Sequence, residues 1–209
     1  MTILPLVYDN IFPLNEQFKT VKDYFEYFIF CANTYVLDQP LRESKERKEW
    51  LKHYPDISNF PKTLKYIENE NSVSLSEVEN ELSSISLYLS KGEILFHSGQ
   101  IPEGINLQIG EEFQLKNIFS ATLDPYIANA HDSNDDTYWY ITINSDNIRC
   151  FPVPDREDDS TEYEVIILDS PKVKITNIKK GIRNSKWDKS PPTEYQDIEK
   201  TIVYVEFTL

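Results

Sequence analysis

"NIFSATLDPYIANAH", residues 117–131, decides the fold. Phe119, Ser120, Ala121 and Thr122 read as a short strand, and Asp124 followed by Pro125 reads as the start of one short helix. Proline at the first helical position gives up an amide that has no partner there. The aspartate before it can accept from the free amides of the first turn. Around this helix the periodicity is that of strands. "EILFHSGQI" (93–101) precedes it, and "TYWYITIN" (137–144), "NIRCFPV" (147–153), "EYEVIIL" (162–168), "KVKITNIK" (172–179) and "IVYVEFTL" (202–209) follow. "FQLKNIFSAT" (113–122) offers a further strand or two. One short helix among so many strands argues against alternating βαβ units and for a mostly antiparallel α+β fold.

Upstream the period changes to that of helices. In residues 16–36, Phe18, Val21, Phe25, Phe28 and Ile29 recur at helical spacing, which predicts a buried helix. Residues 41–54 read as a charged helix anchored by Leu41, Trp50 and Leu51. Residues 74–91 place Leu75, Val78, Leu82, Ile85 and Leu89 on one face, with Ser74–Glu77 or Ser76–Glu79 as a capping box. The expected organisation is a helical region over 1–92 and a strand-rich core over 93–209, packed as one compact unit.

Composition narrows the function classes. Only 5 glycines are present and no G-x-G-x-x-G or G-x-x-x-x-G-K-[ST] pattern occurs, which disfavours dinucleotide-binding and P-loop folds. A formal net charge of −14 opposes coating of nucleic acid. The most basic stretch, "IKKGIRNSKWDK" (178–189), reads as a solvated loop. Two distant cysteines, Cys31 and Cys150, suggest neither a disulfide framework nor a metal site. His53, His97 and His131 form no H-x-x-x-H pair, so no metal is expected. The start "MTILPLVYDNIF" lacks the basic and apolar regions of a signal peptide, and no apolar run approaches a membrane span. These features predict a cytoplasmic protein, or one delivered into a host cytoplasm, with no membrane partner.

Three stretches carry chemistry-bearing residues in a fixed order. "ILFHSGQI" presents His97, Ser98 and Gly99 at a strand end; "FSAT" places Ser120 and Thr122 on one strand face; "STEYEVIIL" (160–168) sets Glu162 and Glu164 before an apolar run. Their order, and the sequence after Ser120, resemble the ADP-ribosyltransferase superfamily. Its toxin-like members carry an aromatic-Arg strand, a Ser-Thr-Ser strand and a Glu-x-Glu strand. The resemblance covers roughly residues 93–209 and implies a helical part followed by a two-sheet core, with NAD as the substrate and no metal. It implies Glu164 and Glu162 as catalytic residues, and His97, Ser98, Gly99, Ser120 and Thr122 on the NAD side. In this pattern Glu164 faces the ribose, where a fixed carboxylate stabilises the positive charge that develops as the bond to nicotinamide breaks. Ser120 orients Glu164, Thr122 supports the NAD ribose, and Glu162 faces the acceptor.

The chain departs from the toxin pattern at two places. Ala121 removes the middle hydroxyl of the Ser-Thr-Ser motif, and His97 stands where toxin-like members carry Arg. Poly-ADP-ribose polymerases and RNA 2′-phosphotransferases, in the same superfamily, carry His there, bonded to the adenosine ribose. The resemblance implies a mono-ADP-ribosyltransferase acting on a macromolecule, a protein side chain before a nucleic acid, in a toxin or a phage enzyme that modifies its host. An antitoxin or regulatory partner is a further expectation. An NAD glycohydrolase on the same scaffold, a non-catalytic interaction module, and an unrelated α+β binding protein remain open. The acidic stretch "VPDREDDST" (153–161) reads equally as an exposed loop or as a negative lip that favours basic protein acceptors.

Overall fold

A computed structural model describes residues 1–31, 36–69, 72–130, 136–154, 163–184 and 197–209. Helix α1 (Val21–Phe30) occupies the middle of the expected 16–36 segment. Its start is fixed by a reciprocal box: Asp23 N–H donates to Thr20 Oγ1 at 3.1 Å, and Thr20 N–H donates to the Asp23 carboxylate at 3.0 Å. The charged helix expected over 41–54 is two helices, α2 (Asp38–Glu43) and α3 (Lys45–Leu51). Ser44, at ψ 142°, leaves the helical region and caps α3 by accepting from Arg47 N–H at 3.0 Å. Helix α4 (Pro61–Glu68) lies outside the segments expected to be helical, although Phe60, Leu64 and Ile67 stand at helical spacing. Helix α5 (Leu75–Glu81) begins with the expected Ser74–Glu77 box but ends early. A 3-10 turn over Leu82–Ser84 follows, and then a short strand. That strand, β2 (Leu87–Tyr88), pairs in parallel with β1 (Thr2–Ile3).

The remaining strands are β3 (Ile94–Ser98), β4 (Glu112–Gln114), β5 (Phe119–Thr122), β6 (Thr137–Ile143), β7 (Cys150–Pro152), β8 (Glu164–Ile167), β9 (Lys172–Asn184) and β10 (Asp197–Thr208). Helix α6 (Pro125–Ala130) follows β5, and Tyr126 N–H donates to Asp124 Oδ1 at 2.8 Å, as the Asp-Pro pair predicts. The strands lie in the order β4-β9-β10-β6-β3-β5-β8-β7, and only β10 and β6 among them run parallel. The two sheets expected for the core are thus a single eight-stranded sheet among the described residues. Its joint is thin, since β3 and β5 share one residue pair, Phe96 opposite Thr122. Five strands stand on one side of that joint and three on the other. The basic stretch read as a loop continues β9 as far as Asn184, and its Lys179 and Lys180 pair with Glu26 and Glu199.

The helical region and the sheet share a core. Leu4, Phe25 and Trp50 belong to the same buried cluster as Phe96, Tyr138 and Phe207. Phe25 on α1 is the contact point, with its ring centroid 4.8 Å from Phe96 and 5.7 Å from Tyr140. Such aromatic pairs contribute about 1 kcal/mol each beyond simple burial. A second cluster joins Val78 and Leu82 to Phe151, Ile166 and Leu168, so α5 packs over β7 and β8. Helices therefore pack against strands on both sides of the joint.

Candidate active site

Beyond Phe96 and Thr122 the ladder between β3 and β5 stops. The His97 imidazole spans the opening, with Nδ1 2.9 Å from the Ser120 carbonyl oxygen. A carbonyl only accepts, so Nδ1 carries the proton and donates it; in the neutral ring Nε2 is then an acceptor. The ring is packed by Phe119 at 4.5 Å and edge-on by Trp139 at 5.7 Å between centroids. Trp139 in turn donates its indole N–H to the Gly99 carbonyl at 2.8 Å. Gly99 adopts φ +152°, and a Cβ placed there would lie 2.7 Å from His97 Nε2. A side chain at 99 and this His97 position exclude each other.

On the other side of the opening, Ser120 Oγ donates to Glu164 Oε1 at 2.6 Å. The register pairs Thr122 with Glu164 and Ser120 with Ile166, so Ser120 reaches Glu164 along the diagonal of one sheet face. A hydrogen bond to a carboxylate of this kind contributes about 2 kcal/mol. It also selects one carboxylate rotamer. His97, Ser120 and Glu164 form a continuous chain across three strands, from imidazole to peptide carbonyl and from the same residue's hydroxyl to carboxylate.

The other residues singled out in the sequence have different places. Thr122 is buried, and its hydroxyl accepts from Asp124 N–H at 3.0 Å, which shapes the turn into α6. Ser98 pairs with Tyr138 while His97 pairs with Trp139, so strand alternation sends the Ser98 side chain to the opposite face from His97. Glu162 and residues 155–161 of the acidic stretch lie outside the described residues. Two glutamates two apart share a strand face only where the residue between them is extended. Tyr163 has φ +49° and β8 begins only at Glu164, so the period of two does not carry back past it. Tyr163 is buried in the main core and reaches from the sheet to the helices. Its hydroxyl donates to Asp38 Oδ1 on α2 at 2.9 Å, and burial, then the Asp38 carboxylate, push its phenol pKa up.

Two partners of His97 escaped the sequence reading. Phe119 directly precedes Ser120 and Trp139 sits in the alternating run 137–144, which were the available signals. Neither has a polar motif to mark it. Among the described residues no group of three or more His, Cys, Asp or Glu side chains is placed to hold a metal ion. No described helix is long and apolar enough to cross a membrane.

No protein-family model matches the sequence, and no curated protein matches it. Solved structures do. The ADP-ribosylating toxin BECa of a binary enterotoxin of C. perfringens, determined with NADH, superposes with a TM-score of 0.53 at 14% identity, covering 77% of this chain. The chain has the ADP-ribosyltransferase fold. It spans 45% of the length of BECa, and 94% of the C3larvin ADP-ribosyltransferase from Paenibacillus larvae, which is 12% identical, with a TM-score of 0.48 over 79% of this chain. In this ADP-ribosyltransferase fold, the order β3, β5, β8 across the joint brings the first, second and third motif stretches side by side.

Proposed function

We propose that the protein is a mono-ADP-ribosyltransferase that moves ADP-ribose from NAD to a macromolecular acceptor, with a protein side chain first among the candidates. The observation that carries this reading is the 2.6 Å bond from Ser120 to Glu164, tied to His97 through the Ser120 carbonyl. The fold shared with BECa supports it.

The residues fit the chemistry of NAD cleavage. The bond between the ribose carbon and the nicotinamide nitrogen breaks, the nitrogen keeps the electron pair, and positive charge builds on the ribose. Glu164, fixed by Ser120, supplies a carboxylate for that charge without having to reorganise. Its second oxygen can accept from a ribose hydroxyl. His97 Nε2, the acceptor of the neutral ring, suits a second ribose hydroxyl, and Gly99 lets the ligand and the ring approach closely. Ser98 takes part through its backbone, and Thr122 by holding the strand end from which Ser120 projects. Glu162 takes the acceptor side and removes the proton that the acceptor loses on bonding to the ribose carbon. The lysines of β9 that have acidic partners offer no polyanion track, in keeping with a protein acceptor.

The test is NAD labelled in its adenylate moiety, added to a cell lysate with wild-type protein or Glu164→Ala. The expected result is labelled protein that depends on Glu164. Nicotinamide release without label on any macromolecule identifies a glycohydrolase instead. Absence of both in the wild type overturns the reading.

A further inference from the structure

We infer that Tyr163 is a positioning residue, through which α2 and α3 of the helical region hold Glu164 in its working orientation. The inference rests on the transferase reading of Glu164. Tyr163 adopts φ +49°, a conformation that non-glycine residues avoid, and is only 1% exposed. A disfavoured backbone of this kind persists only where its surroundings over-determine it, and such sites cluster at functional centres.

The surroundings do so here. The Tyr163 hydroxyl donates to Asp38 Oδ1 at 2.9 Å, and Arg42 Nε donates to that same oxygen at 2.8 Å. The buried Arg47 guanidinium lies 5.2 Å from the Tyr163 ring centre and 5.0 Å from that of Tyr54, within cation–π range of both. Arg47 is set by α3, whose cap Ser44 accepts from its amide. On the sheet side, the Tyr163 carbonyl accepts from Leu123 N–H at 3.0 Å and the Glu164 carbonyl from Val153 N–H at 2.9 Å. The ring of Tyr163 is thus clamped by the helices and its backbone by the sheet. The next residue is Glu164, whose carboxylate must meet Ser120. The left-handed turn at 163 aims Glu164, and the helical region maintains the turn.

The test uses the full chain with four substitutions: Tyr163→Phe, Asp38→Ala, Asp38→Asn and Arg42→Ala. Nicotinamide release gives kcat and KM for NAD, and amide hydrogen exchange reads the Leu123 and Val153 amides. The proposal expects Tyr163→Phe and Asp38→Ala each to lower kcat about tenfold, with KM changed less than roughly twofold. Combined, they should lower kcat no further, because they remove one bond. Asp38→Asn keeps an acceptor and should restore most of kcat, and Arg42→Ala, which loses only the second donor to Asp38, should lower it by less than Tyr163→Phe. Exchange at Leu123 and Val153 should quicken in Tyr163→Phe. Full kcat in Tyr163→Phe, loss appearing in KM, or Asp38→Asn as slow as Asp38→Ala overturns the proposal. Should the wild type release no nicotinamide, the transferase reading falls, and exchange alone decides the brace: faster at those two amides upholds it, unchanged or raised throughout sinks it.

Discussion

The β9–β10 hairpin and the β3–β5 joint solve opposite problems. In the hairpin, 13 and 12 residues run side by side in a continuous antiparallel ladder with one irregularity at Tyr204–Val205. At the joint a single pair, Phe96 with Thr122, connects the strands. The long ladder satisfies most of its own peptide groups, and side chains step in beside its irregularity, where the Thr176 hydroxyl donates to the Tyr204 carbonyl at 3.2 Å and Asn177 accepts from Ile178 N–H at 2.9 Å. The short one leaves a gap, which the His97 imidazole bridges to the Ser120 carbonyl, while the Ser120 hydroxyl reaches Glu164 on the next strand. Chemistry-bearing groups gather where the regular ladder gives out, because only there can a side chain take over a backbone partner and still face a ligand.

Substitutions can break this contrast, and the largest effects belong at the joint. Ser120→Ala removes the hydroxyl that fixes Glu164 and should lower NAD cleavage by roughly 10- to 100-fold with the fold intact. Steady-state rates beside a thermal melt check both halves. Gly99→Ala sets a methyl 2.7 Å from His97 Nε2 at φ +152°, so the ring must swing out of its Phe119–Trp139 packing. We expect KM for NAD to rise several-fold and stability to fall by about 1–2 kcal/mol, measured by denaturant titration. A crystal structure of that variant with His97 unmoved would refute the account of Gly99.

A third effect lies at the base of β3. Glu93 is 1% exposed, and burial pushes its carboxyl up to about 8 against the accepting bonds it makes with Val7 and Ile94 amides. Folded chains then keep a proton that unfolded chains, at about 4.5, have released. Its stabilising contribution is full below pH 4.5 and is lost as pH rises to about 8. Unfolding free energy measured across that window should decline in the wild type and flatten in Glu93→Gln. The smallest effect belongs to the hairpin. Lys179→Ala removes an exposed ion pair with Glu26 and should cost less than about 1 kcal/mol, leaving NAD cleavage unchanged.

The family resemblance implies that Ser120 orients Glu164, and the two are hydrogen-bonded; local chemistry alone gives the Asp124–Pro125 helix start. His97 was found, but its proton-bearing nitrogen was not, since that depends on which carbonyl faces it. Thr122 was read as a ligand-facing hydroxyl, although the turn two residues later claims it first. Apolar spacing overruns the helix ends where a local cap intervenes, as at Thr20 and Ser44. Tyr163 illustrates the general limit. Alternation predicts a neighbour's face only while the backbone stays extended, and nothing in "TEYE" announces a left-handed residue.

By itself the sequence determined the α+β class and most strands of the large sheet, because periodicity acts over neighbouring residues, while the three motif stretches rested on a family resemblance. Only the tertiary structure decided that these strands form one sheet with a thin joint, that aromatic rings box His97, and that helices some 120 residues away in the chain hold Tyr163. Those contacts depend on which surfaces meet after folding. No local pattern encodes them, since a phenylalanine, a tryptophan or an arginine looks the same in sequence whether it fills a core or steadies a polar site.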